Sequence, residues 1–344
     1  MAVIKLRNST ILEDFNKPYI VAEVNTSHFG NIDIAFKMID MAKKSGCDCV
    51  KFQSWSAKSL YSDTFYKENP IAKRFVEKFS FSKDELKKLS EHCKALGINF
   101  SSTPYSKNEV DFLVKERDVP YIKVASMDLN NYSYLTYIAK TGLPIVLSTG
   151  MAEMNEIYKA VKTIEKENNI NICILHCVSI YPPETSSIRL KNILGLRKEF
   201  PNYPIGFSDH SSGIEMATAA VALGACMIEK HFTLDKTKIG MDNQMAIEPD
   251  EMRLLVENCH NVQIALGGTK RVVRSSEIEQ RKIMRRSVIV TRDLKAGAEL
   301  TLNDLDVKRP GTGIAPDKLN ELVGKTLTKN IEGDTLIDEA DISD

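Results

Sequence analysis

No apolar run in this chain of 344 residues approaches the roughly 20 residues a membrane helix needs, so no bilayer-spanning helix is expected. The N-terminal stretch MAVIKLRNSTILEDF also lacks the apolar core of a signal peptide. Charge of one sign is missing too. Lys+Arg and Asp+Glu both number 46, so nothing global steers the chain toward nucleic acid or a membrane surface. The seven cysteines form no CxxC pair and are odd in number. Cys47, Cys49, Cys173, Cys177 and Cys226 fall in apolar runs, which reads as reduced core thiols of a cytoplasmic protein rather than a disulfide framework or a zinc site.

What is present is a rhythm. After a short strand and turn up to Lys17, short apolar runs alternate with amphipathic helices: YIVAEV from Tyr19, CDCVKFQ from Cys47, INFSSTP from Ile98, YIKVAS from Tyr121, PIVLSTG from Pro144, INICILHC, PIGFSDH from Pro204 and CMIEKHFT from Cys226. Runs so continuously apolar suit strands covered on both faces. Between them, DIAFKMIDMAKKSG places Ile34, Met38 and Met41 on one stripe and closes on Gly46. SKDELKKLSEHCKALG opens with Ser82 and Glu85 at capping-box spacing and closes on Gly97. Further helices are expected around Glu153–Asn168 and Pro249–Leu266. Eight strands alternating with helices over about 250 residues is the order and size of a (β/α)8 TIM barrel. A doubly wound open sheet has the same order of elements. The stretch between Gln53 and Phe81, which holds the single tryptophan, Trp55, is long for a strand-to-helix connection and reads as a lid or as a surface excursion with its own helix.

The rhythm stops after Leu266. The expected organisation is a barrel domain over 1–268, a charged linker over 269–284, and a small β-rich module over 285–344 with turn signals at Lys295–Gly297, Pro310–Gly313 and Glu332–Asp334. A module of about 60 residues is small for an independent core.

In a barrel, functional groups gather at the C-terminal ends of the strands. Those ends carry Glu23 with Asn25 and His28, Lys51 with Gln53, Thr103, Lys123 with Ser126, Ser148 with Thr149, His176 with Ser179 and Tyr181, Ser208 with His210, and Glu229 with His231. Strand alternation puts Ser208 with His210, and Glu229 with His231, on one face. Two neutral imidazoles at neighbouring strand ends suit a divalent transition metal with open coordination positions. Lys51 and Lys123 are costly in apolar strands unless paired or used. Either Glu23 and Glu229 neutralise them, or, with the hydroxyls of Ser126, Ser148 and Ser208, they bind a phosphate and a carboxylate as point charges.

The motifs VAEVNTSHFG, KFQ, SSTPYS, IKVAS, LSTGM, HCVSIYP, GFSDH and IEKHF, in that order, resemble the sialic acid synthase family, enzymes that condense phosphoenolpyruvate with an N-acylated mannosamine-type sugar. The tail around VKRPGTG resembles the antifreeze-like (SAF) β-clip domain of those synthases. The resemblance implies a TIM barrel followed by that domain, and metal binding by His210 and His231, with Mn2+ foremost and Mg2+ or Co2+ as alternatives. It implies phosphoenolpyruvate contacts from Lys51, Lys123, Ser126, Ser148, Ser179 and Ser208. Glu23, Gln53, Thr103, Tyr181 and Asp242 match positions near the acceptor sugar and the reacting atoms. Arg309 matches an arginine that reaches the partner subunit's active site in a domain-swapped homodimer. The implied reaction releases phosphate by C–O cleavage, with Glu23 as the candidate for moving a proton.

Ser27 before His28, ASMD at Ala125–Asp128 and Met241 before Asp242 depart from the family's common motifs, which leaves the acceptor open between N-acetylmannosamine and 6-deoxy diacetamido sugars leading to legionaminic or pseudaminic acid. Two other readings use the same residues: a Schiff-base aldolase with Lys51 or Lys123 as nucleophile, and a non-enzymatic sugar-binding protein.

Overall fold

Each of the eight apolar runs forms a parallel strand in the computed structural model, which describes residues 2–344. They are β1 (Tyr19–Glu23), β2 (Cys49–Gln53), β3 (Asn99–Thr103), β4 (Ile122–Val124), β5 (Ile145–Ser148), β6 (Ile172–Cys177), β7 (Ile205–Asp209) and β8 (Met227–His231). Ladders join them in the order β3–β2–β1–β8–β7–β6–β5–β4, so the first strand pairs with the last. That closure decides for the barrel over the open sheet. Among the described residues no ladder joins β3 to β4, and the ring is interrupted at that one seam.

Alternation along the strands builds two cores. Outward residues such as Ile20, Val50, Phe52, Ile145, Ile174 and Ile228 pack under the helices. Inward residues Val21, Cys49, Tyr121, Val146, Cys173, Leu175 and Met227 fill the N-terminal half of the barrel. The expected short strand and turn is a hairpin, Val3–Lys5 against Ile11–Glu13, and its Ile4, Leu6 and Leu12 join that inner core. Packing is tight there. A Cβ on Gly206 would lie 2.5 Å from Leu175 Cδ2 and 2.8 Å from the Met227 carbonyl oxygen, so only glycine fits. All seven cysteines are free and buried.

The helices follow their end signals. Helix Lys83–Leu96 has the Ser82–Glu85 capping box and stops at left-handed Gly97 (φ +65°). Helix Ile32–Lys44 is capped by the Asn31 side chain, but its buried face is Ala35, Met38, Ile39 and Ala42. The expected stripe of Ile34, Met38 and Met41 is thus corrected: the small Ala35 and Ala42 let the helix sit close to the sheet, while Ile34 and Met41 pack at its flanks. Helices also form over Met154–Glu165 and Pro249–Leu266. The excursion after β2 folds into three helices, Ala57–Leu60, Asp63–Glu68 and Pro70–Phe79. Trp55 at its start is buried beside Tyr105.

The chain separates into two units, the second spanning Gly268–Asp344. That unit contains a helix, Ser275–Met284, and two antiparallel pairs: Ser287–Val290 with Leu305–Lys308, and Thr326–Leu327 with Ile342–Ser343. Val288, Val290, Leu300, Leu305, Leu327 and Ile337 are among its own core residues. Gly297 (φ +81°) and Asp334 (φ +66°) take the left-handed conformations that its turns require.

Candidate active site

At the C-terminal ends of the strands the inward positions turn polar. Glu23 on β1, Lys51 and Gln53 on β2, Thr103 on β3, Lys123 on β4, Ser148 on β5, Ser208 on β7, and Glu229 and His231 on β8 surround one cavity of about 240 Å³. The loops beyond the strands add Asn25, Ser126, Ser179, Tyr181, His210 and Asp242 to its lining. Every barrel residue singled out in the sequence as catalytic, substrate-binding or metal-binding therefore reaches the same space. Arg309 does not belong to this unit; it is an exposed residue of the second, and its Nε donates to the Met284 carbonyl at 3.1 Å.

Glu229 is the hub. Lys123 Nζ donates to both its oxygens, at 2.6 and 2.8 Å, and Ser208 Oγ donates to Oε1 at 2.9 Å. Lys51 Nζ lies 3.6 Å from Oε2, pairs with Glu23, and donates to Thr103 Oγ1 at 3.0 Å. The two lysines are thus neutralised by the two carboxylates while remaining at the wall of the cavity. Pairing is what makes buried charge tolerable here. Burial alone would raise both glutamates, but Lys123 and Lys51 together hold Glu229 well below the usual carboxylate range. For Glu23 burial wins over Lys51, helped by repulsion from Glu229, and its carboxyl is raised. The site thus contains one carboxylate held ionised and one that takes a proton more readily.

His210 and His231 stand with ring centres 5.4 Å apart and planes 77° to each other, and His210 stacks on Tyr181 at 4.2 Å. His210 Nδ1 donates to the Val178 carbonyl at 2.8 Å, leaving the Nε2 lone pair free, 3.4 Å from Ser208 Oγ. That is the arrangement of a metal-ligating imidazole, whose far nitrogen is oriented by a carbonyl. Burial pulls His210 down, yet Cys177, the Val178 carbonyl and Glu229 outweigh it, so a proton and a metal compete for Nε2. Burial, reinforced by His210, pushes His231 well below its ordinary value, so its ring is neutral and a ready donor. Among the described residues no third His, Cys, Asp or Glu completes a metal cluster. The residues fit an ion that takes two nitrogens from the protein and its remaining ligands from substrate or water.

Two of the four strand-end histidines lie elsewhere. His176 has the parity of Ile172 and Ile174, so it faces outward, stacks on Phe207 and shares a hydrogen bond at 2.7 Å with the Ile188 carbonyl. His28 stacks on Phe81 at 4.1 Å, and burial pushes its pKa down to about 3. Thr149 donates to the Leu175 carbonyl and is also outside the cavity lining. The excursion contributes nothing to that lining beyond Gln53 at its root.

Six lining residues have no catalytic, substrate-binding or metal role assigned from the sequence: Asn25, Tyr105, Ala125, Met127, Met151 and Cys177. Tyr105 donates to Gln53 Oε1 at 3.1 Å, and Gln53 Nε2 in turn donates to Glu23 Oε1 at 3.3 Å. Cys177 sits 3.7 Å from Ser126 Oγ; its inward parity with Cys173 and Leu175 was a usable signal. Asn25, just past β1, continues the inward parity of Val21 and Glu23, and its place beside Glu23 at the strand end was the signal for it.

The sequence model of the NeuB family matches residues 38–271, and that of the SAF domain matches residues 285–343. The chain is similar to the N,N'-diacetyllegionaminic acid synthase of Legionella pneumophila, at 35% identity over 332 residues, covering 93% of each protein. It is similar to the N-acetylneuraminate-9-phosphate synthase of Homo sapiens at 36% identity over 337 residues, covering 93% of this chain and 91% of that one. Among solved structures, the N-acetylneuraminic acid (sialic acid) synthetase of Leptospira borgpetersenii in complex with citrate superposes with a TM-score of 0.74 at 33% identity, covering 81% of this chain and 96% of the other. With the match running through barrel and tail alike, the chain belongs to the NeuB family.

Proposed function

We propose that this chain is a nonulosonic acid synthase, joining phosphoenolpyruvate to an N-acylated amino sugar with release of phosphate. The observation that carries the reading is the single polar cavity in which two lysines, four serines and two histidines converge. Lys51 and Lys123, with Ser126, Ser148, Ser179 and Ser208, hold the phosphate and carboxylate of phosphoenolpyruvate. Both lysines reach the cavity already paired, so the substrate's anionic groups share them with Glu23 and Glu229 rather than meeting bare charges. This favours positioning and preorganised electrostatics over covalent work.

His210 and His231 would hold a divalent ion, Mn2+ foremost, which would supply Lewis acidity to the acceptor's aldehyde. Gln53, Thr103, Tyr181 and Asp242 orient the acceptor so that its aldehyde carbon faces C3 of phosphoenolpyruvate. The new C–C bond forms from C3, C2 becomes electron-poor, water adds at C2, and the C2–O bond to phosphate breaks. The aldehyde oxygen gains a proton and the attacking water loses one. Glu23 carries that proton, a reading supported by the environments of Glu23 and Glu229, which push their proton affinities apart. Arg309, exposed on the SAF unit, completes the acceptor site of a second copy in a domain-swapped homodimer. Its cellular place is the cytoplasm, in keeping with seven reduced, buried thiols.

The test is phosphate release from phosphoenolpyruvate against a panel of N-acyl amino sugars in 18O-water, with the mass of each product. Label in the sugar acid at C2, and none in phosphate, is expected. Label in phosphate would contradict the C–O route, and covalent trapping of pyruvate by borohydride would favour a Schiff-base enzyme instead.

A further inference from the structure

Asn25 stands two residues past the end of β1 with a left-handed backbone (φ +44°). Glycine suits that region best, and asparagine is among the few side chains that tolerate it. A residue that accepts such a backbone while keeping an amide has a use for the amide. Its backbone N–H donates to Glu23 Oε1 at 2.9 Å, and its Nδ2 donates to Asp242 Oδ2. An ionised carboxylate only accepts, so the amide turns its NH2 toward Asp242 and leaves Oδ1 on its other side. That oxygen is buried and receives no hydrogen bond from the described residues, while the residue itself is 5% exposed and lines the catalytic cavity. Buried acceptors are nearly always paired, and an orphan in the wall of a substrate cavity is explained by a donor the ligand brings.

The chemistry of the acceptor names that donor, on the reading that the protein is a synthase for N-acyl amino sugars. β1 and β8 run in register with Glu23 opposite His231, so Asn25 lies at the His231 end of the cavity, where the proposed reaction would hold the aldehyde. The substituent next to the aldehyde carbon is the N-acyl group, whose N–H is a directed donor. We propose that Asn25 is a specificity-determining residue whose Oδ1 accepts the N–H of the acceptor's C2 N-acyl group. It reads the amide by bridging the two carboxylates, Glu23 and Asp242, that flank it.

The test compares kcat/KM for N-acetylmannosamine, or whichever N-acyl sugar the wild type turns over best, with that for the 2-O-acyl ester of the same sugar. The ester keeps the carbonyl and loses the N–H. Wild type is expected to prefer the amide by at least about tenfold, the value of one good buried hydrogen bond. In Asn25→Gly the preference should shrink to about threefold or less, with the KM for phosphoenolpyruvate unchanged. Its melting temperature should be unchanged or higher, because glycine relieves the left-handed backbone. If Asn25→Gly lowers both sugars equally, Asn25 only positions Glu23 and Asp242, and the inference is overturned. A wild type that shows no preference for the amide overturns it as well. If the wild type condenses phosphoenolpyruvate with no N-acyl sugar at all, the synthase reading fails and takes the inference with it.

Discussion

Replacing Glu229 with Gln removes one charge from the centre of the site and almost no volume. Among the described residues Lys123, 3% exposed, has no other carboxylate in ion-pair range, whereas Lys51 keeps Glu23. Leaving a buried charge without its partner costs about 3–5 kcal/mol, and Gln belongs at the low end because its amide oxygen can still accept from Lys123 Nζ. In a domain of this size each kcal/mol moves the melting midpoint by about 2 °C, so Glu229→Gln should melt about 6 °C below wild type at pH 7.5. The pH dependence carries a sign. The folded pKa of Glu229 is depressed, so its contribution is full above the unfolded value of about 4.3 and is lost as pH falls toward the folded one. The gap between wild type and variant should stay constant from about pH 8 to pH 5 and narrow only below about pH 4.3. Activity should fall by orders of magnitude, because Lys123 loses the carboxylate whose two oxygens hold its Nζ at the cavity wall. Melting curves by circular dichroism across that pH range, together with the KM for phosphoenolpyruvate, decide the matter. A midpoint within about 2 °C of wild type and an unchanged KM would refute the reasoning, since Lys123 could then not be a buried, paired cation.

Other consequences are simpler to state. Exhaustive chelation, with metal content checked, should abolish turnover, and His231→Ala should do the same with a melting midpoint within a few degrees of wild type; full turnover by metal-free protein would sink the two-histidine reading. His28, held neutral with a pKa of about 3 against about 6.5 when unfolded, should cost about 2 kcal/mol of stability as pH drops from 7 to 5. In His28→Phe that share of the acid sensitivity should disappear, as read by denaturant unfolding at the two pH values, whatever the variant's absolute stability. Co-refolding an inactive Arg309→Ala chain with an inactive His231→Ala chain should restore partial activity, because one hybrid site then receives both intact residues. Heterodimers confirmed by mass that show no recovery would place the arginine in its own chain's site or in none.

Much of the barrel was legible because its strands are covered on both faces. Runs such as INICILHC and CMIEKHFT have no polar side to hide, and the capping box at Ser82 marks a helix start without any tertiary help. Closure was not legible, since it depends on β1 meeting β8 rather than on either strand alone. The cavity followed from alternation where alternation was applied. Ser208 with His210 and Glu229 with His231 point inward as expected; the same count along β6 assigns His176 outward and Cys177 inward. Contacts between loops escaped it. The contact between Asn25 and Asp242 joins positions far apart in sequence through two irregular segments, and no periodicity reports on those. The pairing of each lysine was an open choice in sequence because both outcomes use the same residues, and only the distances around Glu229 separate them.

The order of the strands has a consequence for how the protein is made. β1, β2 and β3 leave the ribosome early, yet no ladder ties them to β4 through β7, because β3 and β4 are not paired. Until Met227–His231 is synthesised, β1 and β7 each lack the strand that covers them and keep an open edge of the kind that invites wrong partners. The final strand joins them along Tyr19–Glu23, and in the same step sets His231 beside Glu23. Catalytic competence is therefore acquired together with ring closure. A ribosome that stalls before Met227 releases an inactive product whose unpaired edges make it a substrate for chaperones.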